Sequence, residues 1–208
     1  MSVAELMEWN KAHHRDDRLT MTLGMHCAPL LMKDKISNII TIDIRDFSDM
    51  KRLLKNTGIS YRLLKSRGEK MILFLYRKTD LLNYLMRSDV YRFLLEEGYD
   101  GVMLPEHLIN QLAKRIFFYG NGDIAFPHEI GVFLGYPLGD VRGFIENMGK
   151  NSLYSGYWKV YENVDATKAL FERFEYDRTY VIHKIVSGYT LTELMDELEQ
   201  EKSQARVS

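Results

Sequence analysis

IITIDIRDFSDMKRLLKNTGISYRLLKSRGEKMILFLY, residues 39–76, is the stretch that decides the fold. Ile39 to Ile44 is short and β-branched, which suits a buried strand. Asp46 is placed to cap a helix running to Asn56, because Phe47, Met50, Leu53 and Leu54 recur at helical spacing. Gly58 supplies the stop. Ile59–Leu64 and Lys70–Tyr76 then flank Ser66-Arg67-Gly68, so two strands meet at a glycine-containing turn and read as a hairpin. Strand, helix and hairpin in that order predict an α+β or mixed sheet.

Working outward, the next block is helical. Thr79 is placed to cap residues 80–87, and Ser88 to cap 89–97. Pro105, Pro127 and Pro137 fit the first turns of helices over 106–118, 127–135 and 137–148. Gly120-Asn121-Gly122-Asp123 reads as a flexible turn with no phosphate-binding lysine after it. LYSGYWKVY (153–161) returns to strand chemistry as a fourth strand, with Gly156 as a bulge. Val164–Ile185 predicts a long amphipathic helix, and Thr190-Leu191-Thr192-Glu193 is a capping box opening a last one. Residues 1–20 read as a helix or loose arm and 201–208 as a frayed tail. The expectation is a single globular domain over 1–208: a small mixed or antiparallel sheet of three to four strands, with helices banked on one face and a helix-rich C-terminal half.

Composition narrows the function. Hydrophobic residues make up 46% of the 208, enough for a core that needs no disulfide or metal staple. Lys+Arg number 28 against 29 Asp+Glu, and a chain without a basic surplus is a poor match for nucleic acid. The single cysteine has no internal partner for a disulfide. The first residues, MSVAELMEWNKAHHRDD, lack the apolar stretch of a signal peptide, and no run reaches the roughly 20 apolar residues of a membrane span. The reading is cytoplasmic, with a protein partner or a second copy of the chain as the partner classes left open.

Two short motifs carry chemistry. In Met25-His26-Cys27-Ala28-Pro29, the proline fits a first helical turn, which would put Cys27 at a helix N-terminus, where amide N–H groups and the helix dipole favour a thiolate. In Phe126-Pro127-His128-Glu129-Ile130-Gly131, Pro127 puts His128 and Glu129 in another first turn, where the positive dipole end favours neutral imidazole. If the fold brings the motifs together, Cys27 is a nucleophile with His128 as base and His26 or Glu129 as orienter. The alternative is a metal- or haem-handling site built from His26, Cys27 and His128, with Glu129 as a further ligand. Each motif also has a plain structural explanation, a buried thiol in one and a helix cap in the other. HE here lacks the second histidine of HExxH. Tyr154, Tyr157, Trp158 and Tyr161 form an aromatic strand, either a stacking platform for bases or a flavin or ordinary cross-strand packing. Gly131, Gly135, Gly139 and Gly143 recur every four residues, but Pro137 interrupts any single helix carrying them. A third reading is a non-catalytic interaction or regulatory module.

HCAP (26–29), FPHEIGVFLGYPLGDVRGFIENMG (126–149) and SGYWKVYEN (155–163) together resemble an uncharacterised family found mainly in clostridia and related anaerobes, domain of unknown function 3793. The resemblance runs from the HCAP segment to about Tyr180. It implies one domain in a bacterial cytoplasm, and it brings no catalytic residue and no cofactor with it. The chain departs from the expected family pattern at Lys35-Ile36-Ser37, after the HCAP segment.

Overall fold

A computed structural model describes residues 3–101, 104–120 and 125–205. Two helices come first, α1 (Val3–Ala12) and α2 (Arg15–Leu31), so the expected arm is helical and already contains the start of the second helix. Then follow β1 (Ser37–Asp43), a short 3-10 turn, α3 (Phe47–Leu54), and the strands β2 (Ser60–Arg67) and β3 (Lys70–Tyr76). Gly68, at φ +57°, makes the β2–β3 turn. The sheet is antiparallel in the order β1-β3-β2, with Ile40 opposite Leu73 and Leu63 opposite the same residue from the other side. A bulge between Leu63 and Lys65 shifts the β2 register.

The central strand explains the architecture. Met71, Leu73 and Leu75 belong to one core with Ile40 and Ile42; Ile72, Phe74 and Tyr76 belong to another with Ile39 and Leu64. A strand apolar at every position is buried on both faces. Helices therefore cover the sheet on two sides, not the one side expected. The first core takes in residues of α2, α3, α9 (Val164–Val186) and α10 (Leu191–Ala205). The second takes in α4 (Lys78–Leu85), α5 (Ser88–Glu96), α6 (Pro105–Phe118), α7 (Ile130–Phe133) and α8 (Leu138–Glu146).

Three expectations change. The helix expected over 127–135 is the four-residue α7, preceded by turns. The strand expected over 153–161 is a separate hairpin of β4 (Tyr154–Ser155) and β5 (Lys159–Val160), and Gly156 lies in its turn instead of forming a bulge. It does not join the sheet; Trp158 and Val160 pack with Phe171 and Phe174 of α9 in a third apolar cluster. The tail is helical to Ala205, and residues 206–208 lie outside the described residues, as do 121–123 of the turn expected after Gly120. The capping box stands: Glu193 N–H donates to Thr190 Oγ1 at 3.3 Å, and Thr190 N–H donates to Glu193 Oε2 at 2.9 Å.

Candidate functional site

Cys27 does not stand at a helix start. Helix α2 begins at Arg15 and runs through Pro29 to Leu31, so the thiol sits near the helix's C-terminal end, where the dipole opposes a thiolate. Proline in the last turn is tolerated because only one backbone bond is lost there, and its own carbonyl accepts the Asp34 and Lys35 N–H groups at 2.8 and 2.9 Å. Cys27 is 0% exposed within the first core, and burial lifts its pKa to about 11. Asn38 Nδ2 donates to its sulfur at 3.5 Å and also to the His26 carbonyl. His26, one position earlier on the helix, points its side chain to solvent.

His128 and Glu129 also part company. Glu129 is 3% exposed, accepting from Arg115 Nη1 at 2.7 Å and from the Tyr99 hydroxyl at 3.1 Å. Arg115 lies over the Tyr99 ring and donates through Nη2 to the Glu97 carbonyl at 2.6 Å. This is a half-buried ion pair, its carboxylate sealed and its guanidinium partly exposed, tying α6 to the turn before α7. His128 is exposed, its ring between Phe126 (5.2 Å between centroids) and Phe144 (5.0 Å).

The four sequence candidates therefore occupy separate surroundings: Cys27 in the core under α2, His26 in solvent, Glu129 in its ion pair, and His128 in an aromatic row. Among the described residues no group of three His, Cys, Asp or Glu side chains is arranged to hold a metal ion.

One of the four, His128, borders a cavity of about 320 Å³ between the α7–α8 segment and the β4–β5 hairpin. Phe126, Tyr136, Phe144, Tyr157 and Trp158 supply its rings, Ile130 and Val141 its aliphatic wall, and Asp140 and Lys159 its charged groups. Trp158 is 9% exposed, stacked on Tyr136 at 4.5 Å and meeting Phe171 edge-on at 4.5 Å. Its indole N–H donates to Asp140 Oδ2 at 2.7 Å. Asp140 Oδ1 accepts the backbone N–H groups of Tyr161 (2.7 Å) and Glu162 (3.1 Å), so this one carboxylate pins the hairpin's second strand and its exit to α8. The Tyr157 hydroxyl donates to Glu175 of α9 at 2.8 Å, and Lys159 Nζ donates to the Gly149 carbonyl.

The glycine spacing has a local cause. Pro137 does break the run, yet each half still packs closely. A Cβ on Gly131 would meet Val141 at 2.8 Å, and one on Gly143 would meet the Tyr161 ring at 2.5 Å. A Cβ on Gly156 would strike Phe171. Bare backbone at these points lets α7, α8 and the hairpin approach closely around the cavity. The aromatic strand divides: Trp158 and Tyr157 wall the cavity, whereas the Tyr161 hydroxyl donates to the Lys150 carbonyl at 2.9 Å. Sequence reasoning missed Asp140, Tyr136 and Phe144. Their signal was present only as the dense segment 136–144, of which residues 137–144 fell in the helix expected over 137–148 and Tyr136 in neither helix, with no chemistry attached.

Among the described residues no helix is long and apolar enough to cross a membrane. No curated protein matches the chain, and no solved structure matches it. The family model described as "Protein of unknown function (DUF3793)" matches residues 23–195, most of the chain, and the chain belongs to that family.

Proposed function

We propose that this chain is a non-catalytic small-ligand-binding module whose ligand occupies the aromatic cavity between α7–α8 and the β4–β5 hairpin. One observation carries the reading. The two long segments by which the chain resembles its family, 126–149 and 155–163, contribute every residue that lines the cavity. Here two neighbouring segments meet to wall an open cleft of about 320 Å³ rich in aromatic rings, a volume and lining that suit a small molecule.

Thiol-dependent or redox chemistry at Cys27 needs a thiolate in reach of a substrate, and full burial with a raised pKa works against both. A metal or haem site from His26, Cys27 and His128 would need those side chains to converge, and their surroundings differ. We read the chain as a cytoplasmic, regulatory or interaction protein that reports on a small molecule, its matched charges favouring that partner over nucleic acid.

The test is a thermal-shift screen of small aromatic and alicyclic compounds. A ligand at about a hundred times its Kd is expected to stabilise the protein by about 2.7 kcal/mol. Ser155→Phe adds a ring at an exposed lining position; it is expected to keep its own melting temperature and lose the shift. A full shift in Ser155→Phe, or no saturable binder for the native chain, would remove the cavity from consideration.

A further inference from the structure

Resting on the cavity reading, we propose that the ligand carries a cationic, alkylated ammonium group, received by the aromatic rings and by the Asp140 carboxylate. Asp140 is 2% exposed and lines the cavity. It accepts three hydrogen bonds, and all three donors are neutral: the Trp158 indole and the backbone amides of Tyr161 and Glu162. Accepting without donating is the behaviour of the carboxylate form. Among the described residues no Lys, Arg or His forms an ion pair with it. The other well-buried carboxylate discussed above, Glu129, has its guanidinium at 2.7 Å; Asp140 has none. Three N–H donors and its place in the first turn of α8 solvate the charge, but no opposite charge neutralises it, and its field reaches further at low dielectric than it would in water.

The walls suit the same charge. Phe126, Phe144, Tyr157 and Trp158 line the hollow, and the face of an aromatic ring carries the negative part of its quadrupole; Tyr136 is stacked on Trp158 and already holds Lys35 over its own ring at 5.3 Å. Aliphatic side chains would serve a neutral ligand as well; a ring-rich wall beside a carboxylate with no cationic partner favours a cation. An alkylated ammonium fits best because its charge is spread over methyl groups, so it leaves water cheaply and still meets aromatic faces. The competing cation in the lining is Lys159. It is exposed, and its ammonium is committed to the Gly149 carbonyl, so water and salt screen it.

The experiment uses the full chain with Trp9→Phe, which leaves Trp158 as the sole indole of the two. Its fluorescence is titrated with benzyltrimethylammonium, benzyl alcohol and phenylacetate, which share a benzyl group and differ in charge. The ammonium is expected to bind about tenfold more tightly than either other probe. If benzyl alcohol or phenylacetate binds as tightly, the cationic assignment falls while the cavity reading stands. If none of the three gives a saturable change, both fall. Asp140→Asn is expected to weaken the ammonium about tenfold and leave the alcohol unchanged. Should that variant fail to fold, Phe144→Leu removes one ring of the wall and is expected to weaken the ammonium selectively. Equal weakening of ammonium and alcohol in Phe144→Leu overturns the assignment.

Discussion

Cys27 is sealed from water, and burial alone outweighs the hydrogen bond from Asn38 that favours its charged form. The consequence for stability has a definite sign. The unfolded thiol loses its proton near pH 9, while the folded one holds it to about pH 11. Between those values the folded state binds more protons, so its stability falls as pH rises. Relative to a Cys27→Ala variant, the native chain is expected to lose about 2–3 kcal/mol across that window in urea melts. The same burial predicts that a thiol reagent at pH 8 leaves the native protein unlabelled and modifies it only after denaturation; rapid labelling of the folded chain would contradict the burial. Glu129 answers burial in another way, through Arg115 and Tyr99. Glu129→Ala strands a partly exposed guanidinium and a buried hydroxyl, and is expected to cost about 2–3 kcal/mol in the same assay.

The packing of α8 against the hairpin turns on which glycine is enlarged. Alanine in a helix interior gains up to about 1 kcal/mol over glycine. At Gly139 the atoms in the way are the carboxyl end of Glu162, a flexible group that can swing aside. At Gly143 they are Cβ and Cγ of Tyr161, the rigid root of a ring. Gly139→Ala is therefore expected to be neutral or mildly stabilising. Gly143→Ala is expected to destabilise by about 1–2 kcal/mol, because overpacking of about 1–3 kcal/mol exceeds the propensity gain. Chemical denaturation of both variants measures this, and equal effects would mean that the hairpin yields easily. The near-ultraviolet signal of Trp158 should change in Gly143→Ala, since Tyr161 and Trp158 share the hairpin and the Asp140 clamp.

Across the whole molecule, the sheet divides two cores and β3 belongs to both. Arg77, directly after β3, joins this centre to its surroundings. It is 7% exposed and donates to the carbonyls of Leu30, Leu31 and Thr57. A guanidinium against the carbonyls that end α2 satisfies both the dipole and the unpaired acceptors there. Amide hydrogen exchange is expected to be slowest in β3, covered on both faces and paired on both edges, and faster in β2, an edge strand with exposed residues. Faster exchange in β3 than in β2 would mean that the cores open independently of the sheet.

The order of elements was legible in residues 39–76 and in the prolines and capping box beyond them, because helix starts, turns and strand runs are set by local chemistry. Even the burial of β3 on both faces was written in MILFLY, apolar at every step. What the sequence could not convey was adjacency. Pro29 looked like a helix start when read alone; only the packing of α2 carried the helix through it and sealed Cys27. His128 and Glu129, neighbours in the chain, went to solvent and to an ion pair because consecutive side chains diverge where a turn meets a helix. The pairing of α8 with the hairpin, and with it the cavity around Asp140 and Trp158, depends on contacts about twenty residues apart that no local pattern records. The sequence alone determined the family of this protein and most of its elements. The tertiary structure decided which side chains share a site, because that depends on distances between segments and not on the chemistry within any one of them.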